Sequence, residues 1–133
     1  MARLAQRVPR WEGARRTRVE LTLLDGPAMR RLNRRATGGR GLTDVLAFSL
    51  PQADGSVLGD VYVCREAAER WVTPGRATGA GGRVEEELVR LAVHGTLHVL
   101  GYDHPESPGR TRSAMWRKQE RYVRRLVNGG RKG

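Results

Sequence analysis

Cysteine is almost absent. Cys64 stands alone in 133 residues, so no internal disulfide can form and nothing points to a secreted, disulfide-stapled fold. A reducing cytoplasm is the expected compartment. Long apolar runs are missing as well. No stretch approaches the roughly 20 apolar residues that cross a bilayer, and the basic start, Met1 to Arg10, leads into no apolar run of the signal-peptide kind. A soluble protein with no membrane partner is expected. Lysine is scarce: only Lys118 and Lys132 contribute to the 25 Lys+Arg, so the basic charge is almost entirely arginine.

Against 14 Asp+Glu this gives a formal charge of +11 and a pI of about 11.4, which favours a polyanionic partner, nucleic acid first. The planar guanidinium fork grips phosphate bidentately and stacks on bases. A coding bias toward arginine yields the same composition, so charge alone leaves the partner open. With 38% hydrophobic residues, the chain has enough apolar material for one core and hardly for two. Residues 1–133 are read as a single domain.

No repeat or low-complexity block interrupts the chain. Thr73 to Gly82 is the most linker-like stretch; it lacks the Gly-Lys-Ser/Thr ending of a phosphate loop. Val19, Leu21 and Leu23 alternate with Glu20 and Thr22, the period of a half-buried strand. Asp25-Gly-Pro27 then starts a short basic helix, Ala28 to roughly Arg35. Thr43 to Leu50 reads as a strand ended by Pro51. Gln52 to Ser56 supplies a turn before a second strand, Val57 to Cys64. Arg65 to Val72 places Ala67, Ala68 and Trp71 at helical spacing, with Trp71 as a core anchor. The clearest helix begins near Arg83, with Glu85, Glu86 and Glu87 in its first turn, and ends at Gly101. A last helix, near Thr111 to Val127, sets Met115, Tyr122 and Leu126 inward beneath a basic outer face.

All three histidines of the chain fall in one window, His94-Gly-Thr-Leu-His98-Val-Leu-Gly101-Tyr-Asp-His104. Four residues apart on a helix, His94 and His98 project from the same face and can share one metal ion. A left-handed Gly101 allows a turn that brings His104 back toward them. Three neutral imidazoles suit zinc, one per chain, and leave a fourth position for water, whose pKa the metal lowers to about 7. The bland alternative is three ordinary histidines, which would leave two imidazoles desolvated on an otherwise apolar helix. The spacing matches the long zinc-protease signature, but Gly95 stands where that signature has its general-base glutamate. Asp103 is read either as a turn residue or as a group that orients a ligand or takes a proton.

The histidine window closely resembles the signature of the YbeY family of bacterial rRNA maturation endoribonucleases. Leu32-Asn33, Thr43-Asp-Val-Leu-Ala-Phe48 and Leu58-Gly-Asp-Val-Tyr-Val-Cys64 resemble its other motifs in the same order, over roughly residues 19 to 127. The resemblance implies an α+β, zincin-like domain in which helices pack a small mixed sheet and a cleft holds zinc. Its metal ligands fall on His94, His98 and His104. The implied activity is metal-dependent cleavage of single-stranded RNA, in maturing the 3′ end of small-subunit rRNA and in ribosome quality control. The implied partners are rRNA and the small ribosomal subunit, with no DNA. Thr37 falls where many members carry an arginine, which leaves Arg34, Arg35 and Arg40 to approach a phosphate. Ala47 stands at a usual serine, and the segment before the first strand is short for the family. Two other readings stay open. One is a metallopeptidase-like hydrolase, on ligand spacing; the other is a non-catalytic zinc-containing ribosome-assembly factor, on Thr37.

Overall fold

A computed structural model describes residues 2–39, 41–71, 80–102 and 114–132. Its elements, in chain order, are α1 (Ala2–Trp11), β1 (Thr17–Leu24), α2 (Gly26–Thr37), β2 (Val45–Pro51), β3 (Val57–Cys64), α3 (Arg65–Trp71), α4 (Ala80–Val99) and α5 (Ala114–Lys132). The three strands form one mixed sheet in the order β1-β3-β2. β3 runs parallel to β1 and antiparallel to β2. The α+β architecture with a small mixed sheet is therefore as the family resemblance implied.

The β2–β3 hairpin closes over Gln52 to Ser56, where Asp54 Oδ1 accepts from the Ser56 amide at 2.9 Å and Gly55 takes a φ of +87°. Pro51 is the last residue of β2, so the strand ends where the sequence places its end. β2 is an edge strand, and a residue with no N–H to donate is tolerated there. In β1 the alternation holds for Val19 and Leu21, which pack into the core, but Leu23 is exposed. α2 is longer than its apolar pattern suggests, because both ends are capped. Asp25 Oδ1 accepts from the Ala28 amide at 2.8 Å, and Gly38, left-handed at φ +77°, donates to the Arg34 carbonyl.

The N-terminal helix α1 was not expected, although Leu4, Val8 and Trp11 recur at helical spacings of four and three; Pro9, which argues against a helix, lies inside it. Nevertheless, Val8 is fully buried against α4 and α5, and Gln6 bonds both the carbonyl and the amide of Val19. Those two bonds serve the outer edge of β1, which has no further strand beside it among the described residues.

Helix α4 sits at the centre. On one side Leu88, Leu91 and Val99 pack against the sheet residues Val19, Val61 and Val63. On another, Val93 and Leu97 pack against Val8 of α1 and Met115, Val123 and Leu126 of α5. A helix apolar on two faces is buried between layers. It starts at Ala80 rather than near Arg83, so Glu85 to Glu87 lie beyond its first turn. They act as pair partners instead: Glu85 meets Arg65 at 2.9 Å and Glu87 meets Arg90 at 3.3 Å. Of the linker-like stretch, Ala80 to Gly82 belong to this helix, and residues 73–79 lie outside the described residues.

Candidate metal centre on the central helix

Between its two apolar faces α4 carries a polar stripe, Glu87, Arg90, His94 and His98, at helical spacings of three, four and four. Glu87, Arg90 and His94 of this stripe line a cleft of about 530 Å³ that Asp44, Val45, Trp116 and Gln119 also wall. His94 and His98 are half-buried, and their Nε2 atoms lie 3.2 Å apart. Two nitrogens on one tetrahedral zinc, each about 2.0–2.1 Å from it, stand about 3.3–3.4 Å from one another. The two imidazoles are therefore already spaced to share such an ion.

The tautomer of His94 follows from its neighbours. Gln119, buried on α5, lies with Oε1 2.7 Å from His94 Nδ1 and Nε2 3.1 Å from Glu120 Oε2. An ionised carboxylate only accepts, so the Gln119 amide nitrogen faces Glu120 and its oxygen faces the ring. His94 therefore donates from Nδ1 and presents an unprotonated Nε2, the form a metal needs. The alternative to a shared metal at 3.2 Å is a direct bond in which His98 Nε2–H donates to His94 Nε2. This arrangement also weakens the desolvation argument made from sequence: neither ring is fully buried, and His94 has a partner.

Glu120 is itself held. Arg90 donates to it in a fork, Nε to Oε2 at 2.8 Å and Nη2 to Oε1 at 3.0 Å. Burial alone would raise the Glu120 carboxyl, but hydrogen bonds from Arg90 and Gln119 outweigh it and hold it below its ordinary value. Burial does prevail at Glu87, whose carboxyl is pushed up despite Arg90. A fixed chain of contacts thus runs from Arg90 through Glu120 and Gln119 to His94. None of Arg90, Gln119 and Glu120 was singled out from sequence. The polar stripe on an apolar helix was the signal that marked Arg90.

Gly101 ends α4 as expected, at φ +102°. The Tyr102 amide bonds the Leu97 carbonyl and the Gly101 amide bonds the His98 carbonyl, both at 3.0 Å, which is the paired closure of a Schellman motif. His104 and Asp103 follow directly but lie outside the described residues, as does Arg40. Among the described residues no third His, Cys, Asp or Glu joins the two imidazoles. Arg34 and Arg35 are exposed near the end of α2. Thr37 is occupied locally: its hydroxyl donates to Asn33 Oδ1 at 2.7 Å and accepts from the Gly39 amide at 3.1 Å. Asn33 Nδ2 in turn donates to the Gly41 carbonyl at 3.0 Å.

Gly95 has a packing reason. It faces the sheet, where a Cβ would meet Val61 Cγ1 at 2.6 Å and Val45 Cγ2 at 3.2 Å. No carboxylate side chain fits at that position.

Fold and site together define an α+β protein with a mixed three-stranded sheet and a pair of converging imidazoles on its central helix. The sequence matches the family model described as Endoribonuclease YbeY over residues 2–127, and the chain belongs to that family. It is 38% identical over 134 aligned positions to Endoribonuclease YbeY of Pelotomaculum thermopropionicum, covering 95% of this chain and 84% of that one. With the protein of the same name from Helicobacter pylori strain G27 the identity is 39% over 94 positions, covering 71% of this chain and 63% of the other. The chain thus spans less than two thirds of the H. pylori relative. The solution structure of TM1509 from Thermotoga maritima superposes with a TM-score of 0.62 at 28% identity, covering 98% of this chain and 83% of that one.

Proposed function

We propose that this chain is a metal-dependent endoribonuclease that cleaves single-stranded RNA in the cleft beside α4. The observation that carries the reading is the 3.2 Å approach of the His94 and His98 Nε2 atoms in a chain of the YbeY endoribonuclease family. His94, His98 and His104 hold one zinc ion, and residues 1–133 work as one domain. A zinc ion there supplies Lewis acidity toward a phosphoryl oxygen and lowers the pKa of water to about 7. The chain's own residues do the rest. Gln119 keeps His94 in its metal-binding tautomer, and Arg90 and Glu120 keep Gln119 in place. Arg34, Arg35 and Arg40 bind phosphates of the incoming strand, and Asp103 takes or returns a proton at the cleavage site.

The substrate is rRNA on the small ribosomal subunit, in maturation of its 3′ end and in ribosome quality control, in the cytoplasm. The formal charge of +11 supports a polyanionic substrate. No described helix is long and apolar enough to cross a membrane. The metallopeptidase reading loses ground, because Gly95 is packed against Val61 where a general-base glutamate would have to stand. A non-catalytic assembly factor keeps one observation in its favour, the engagement of Thr37 in a local cap at the position where the family resemblance places an arginine.

The test is cleavage of a single-stranded rRNA fragment by purified protein, with chelator and after zinc is restored. Wild type should cut only with metal, and His98→Ala should not cut. Equal cutting by His98→Ala would refute this site, and co-sedimentation with ribosomes without any cutting would favour the assembly factor.

A further inference from the structure

Trp116 is an exposed large apolar side chain, 39% accessible, on a helix whose outer face is otherwise basic. It lies at a junction. On one side it walls the cleft that contains His94; on the other it walls a groove of about 340 Å³ shared with Arg117, Arg121 and Arg124. Those three arginines are exposed and recur at helical spacings of four and three, so they share one face of α5. Along the axis they are separated by about 6 Å and 4.5 Å. Glu120 is the carboxylate among the described residues lining this groove, and its charge is matched by the Arg90 fork. The groove is therefore cationic, with one flat aromatic surface at the end nearest the imidazoles.

We propose that this groove is a binding track for single-stranded RNA, in which one base stacks on the Trp116 indole and the adjoining phosphates lie along Arg117, Arg121 and Arg124. The inference rests on the ribonuclease reading for the identity of the strand. It adds a subsite that the histidines do not supply. An indole face accepts any base that is unstacked, and a row of guanidinium groups accepts the backbone without reading sequence. A duplex keeps its bases stacked on one another, so it engages the arginines but not the indole. The track therefore selects single strands and delivers them toward His94 and His98.

The test is equilibrium binding of the full chain, metal included, to a fluorescein-labelled 2′-O-methyl oligouridylate of roughly ten nucleotides, within the usual site size for single-strand binders. A duplex of equal length serves as comparison, and a gel checks that the strand stays intact. Trp116→Ala is expected to weaken single-strand binding about tenfold or more, the loss of one base stack, while duplex binding holds within twofold. Trp116→Phe should keep most of the affinity. Replacing Arg121 with Gln should lower the salt dependence by about one counterion, near 0.7 in logarithmic slope for a single strand. Unchanged single-strand affinity in Trp116→Ala overturns the proposal, and so does an equal loss on single strand and duplex. A wild type that binds through Trp116 yet cleaves nothing sinks the nuclease reading and leaves this track standing. A protein that cleaves while Trp116→Ala binds normally does the reverse.

Discussion

Gln119 and His94 are joined across two helices by a 2.7 Å contact between the amide oxygen and Nδ1, and this contact decides which ring nitrogen faces the cleft. Outer partners of this kind typically account for about 10- to 100-fold in metal affinity. Gln119→Leu should therefore weaken zinc binding in that range while leaving the fold intact, and Gln119→Glu should retain most of it. Nitrogen NMR of the metal-free chain gives an independent reading. The wild-type His94 ring should be protonated at Nδ1, and the Leu variant should lose that preference. A ring protonated at Nε2 in the wild type would contradict the assignment.

Gly95 sets how closely α4 approaches the sheet. A methyl group at that position meets two branched side chains, Val61 and Val45, that have little room to move. Gly95→Ala should cost about 1–3 kcal/mol of stability, the usual range for overpacking a filled core. Urea unfolding measures it. A neutral or stabilising effect would show that the helix can lift without penalty.

Much of this site was legible in advance, and the reasons are local. His94, His98 and Gly101 are short-range features, and helical spacing alone puts the imidazoles on one face and the left-handed turn after them. Gly95 was legible only as a missing glutamate, since its packing role depends on Val61, 34 positions away in the chain. Gln119 and Glu120 were not legible either. They lie on another helix, and only the packing of α5 on α4 brings them to the ring. α1 was legible but missed: Leu4, Val8 and Trp11 recur at helical spacings of four and three, and Pro9 inside the helix masks that short repeat.

Glu12 anchors a second polar cluster away from the histidines. Tyr102 donates to it at 2.6 Å and Lys118 lies 3.1 Å from it, while Tyr122 donates to its other side. Burial alone would raise its carboxyl, but these partners prevail and hold it below the ordinary value. A carboxyl lowered on folding adds stability that is present above its unfolded value near 4.5 and lost as pH falls through the lower folded value. Glu12→Gln should therefore destabilise at neutral pH, by about 1–3 kcal/mol, and flatten the acid limb of the stability curve. At the other extreme burial, with Glu12 beside it, pushes the Tyr122 phenol up to about 12. That contribution is present below its ordinary value of 10.0 and lost as pH rises through about 12. Parallel acid limbs for wild type and variant would contradict the role given to Glu12.

The paired imidazoles remain the centre of the proposed chemistry. Elemental analysis of protein purified without added chelator tests them most directly. One zinc per chain is expected in the wild type, falling to well below half in His94→Ala and in His98→Ala while both variants keep their helical signal. Full zinc in either folded variant, or none in the wild type after zinc is supplied, would contradict the assignment of this pair as metal ligands.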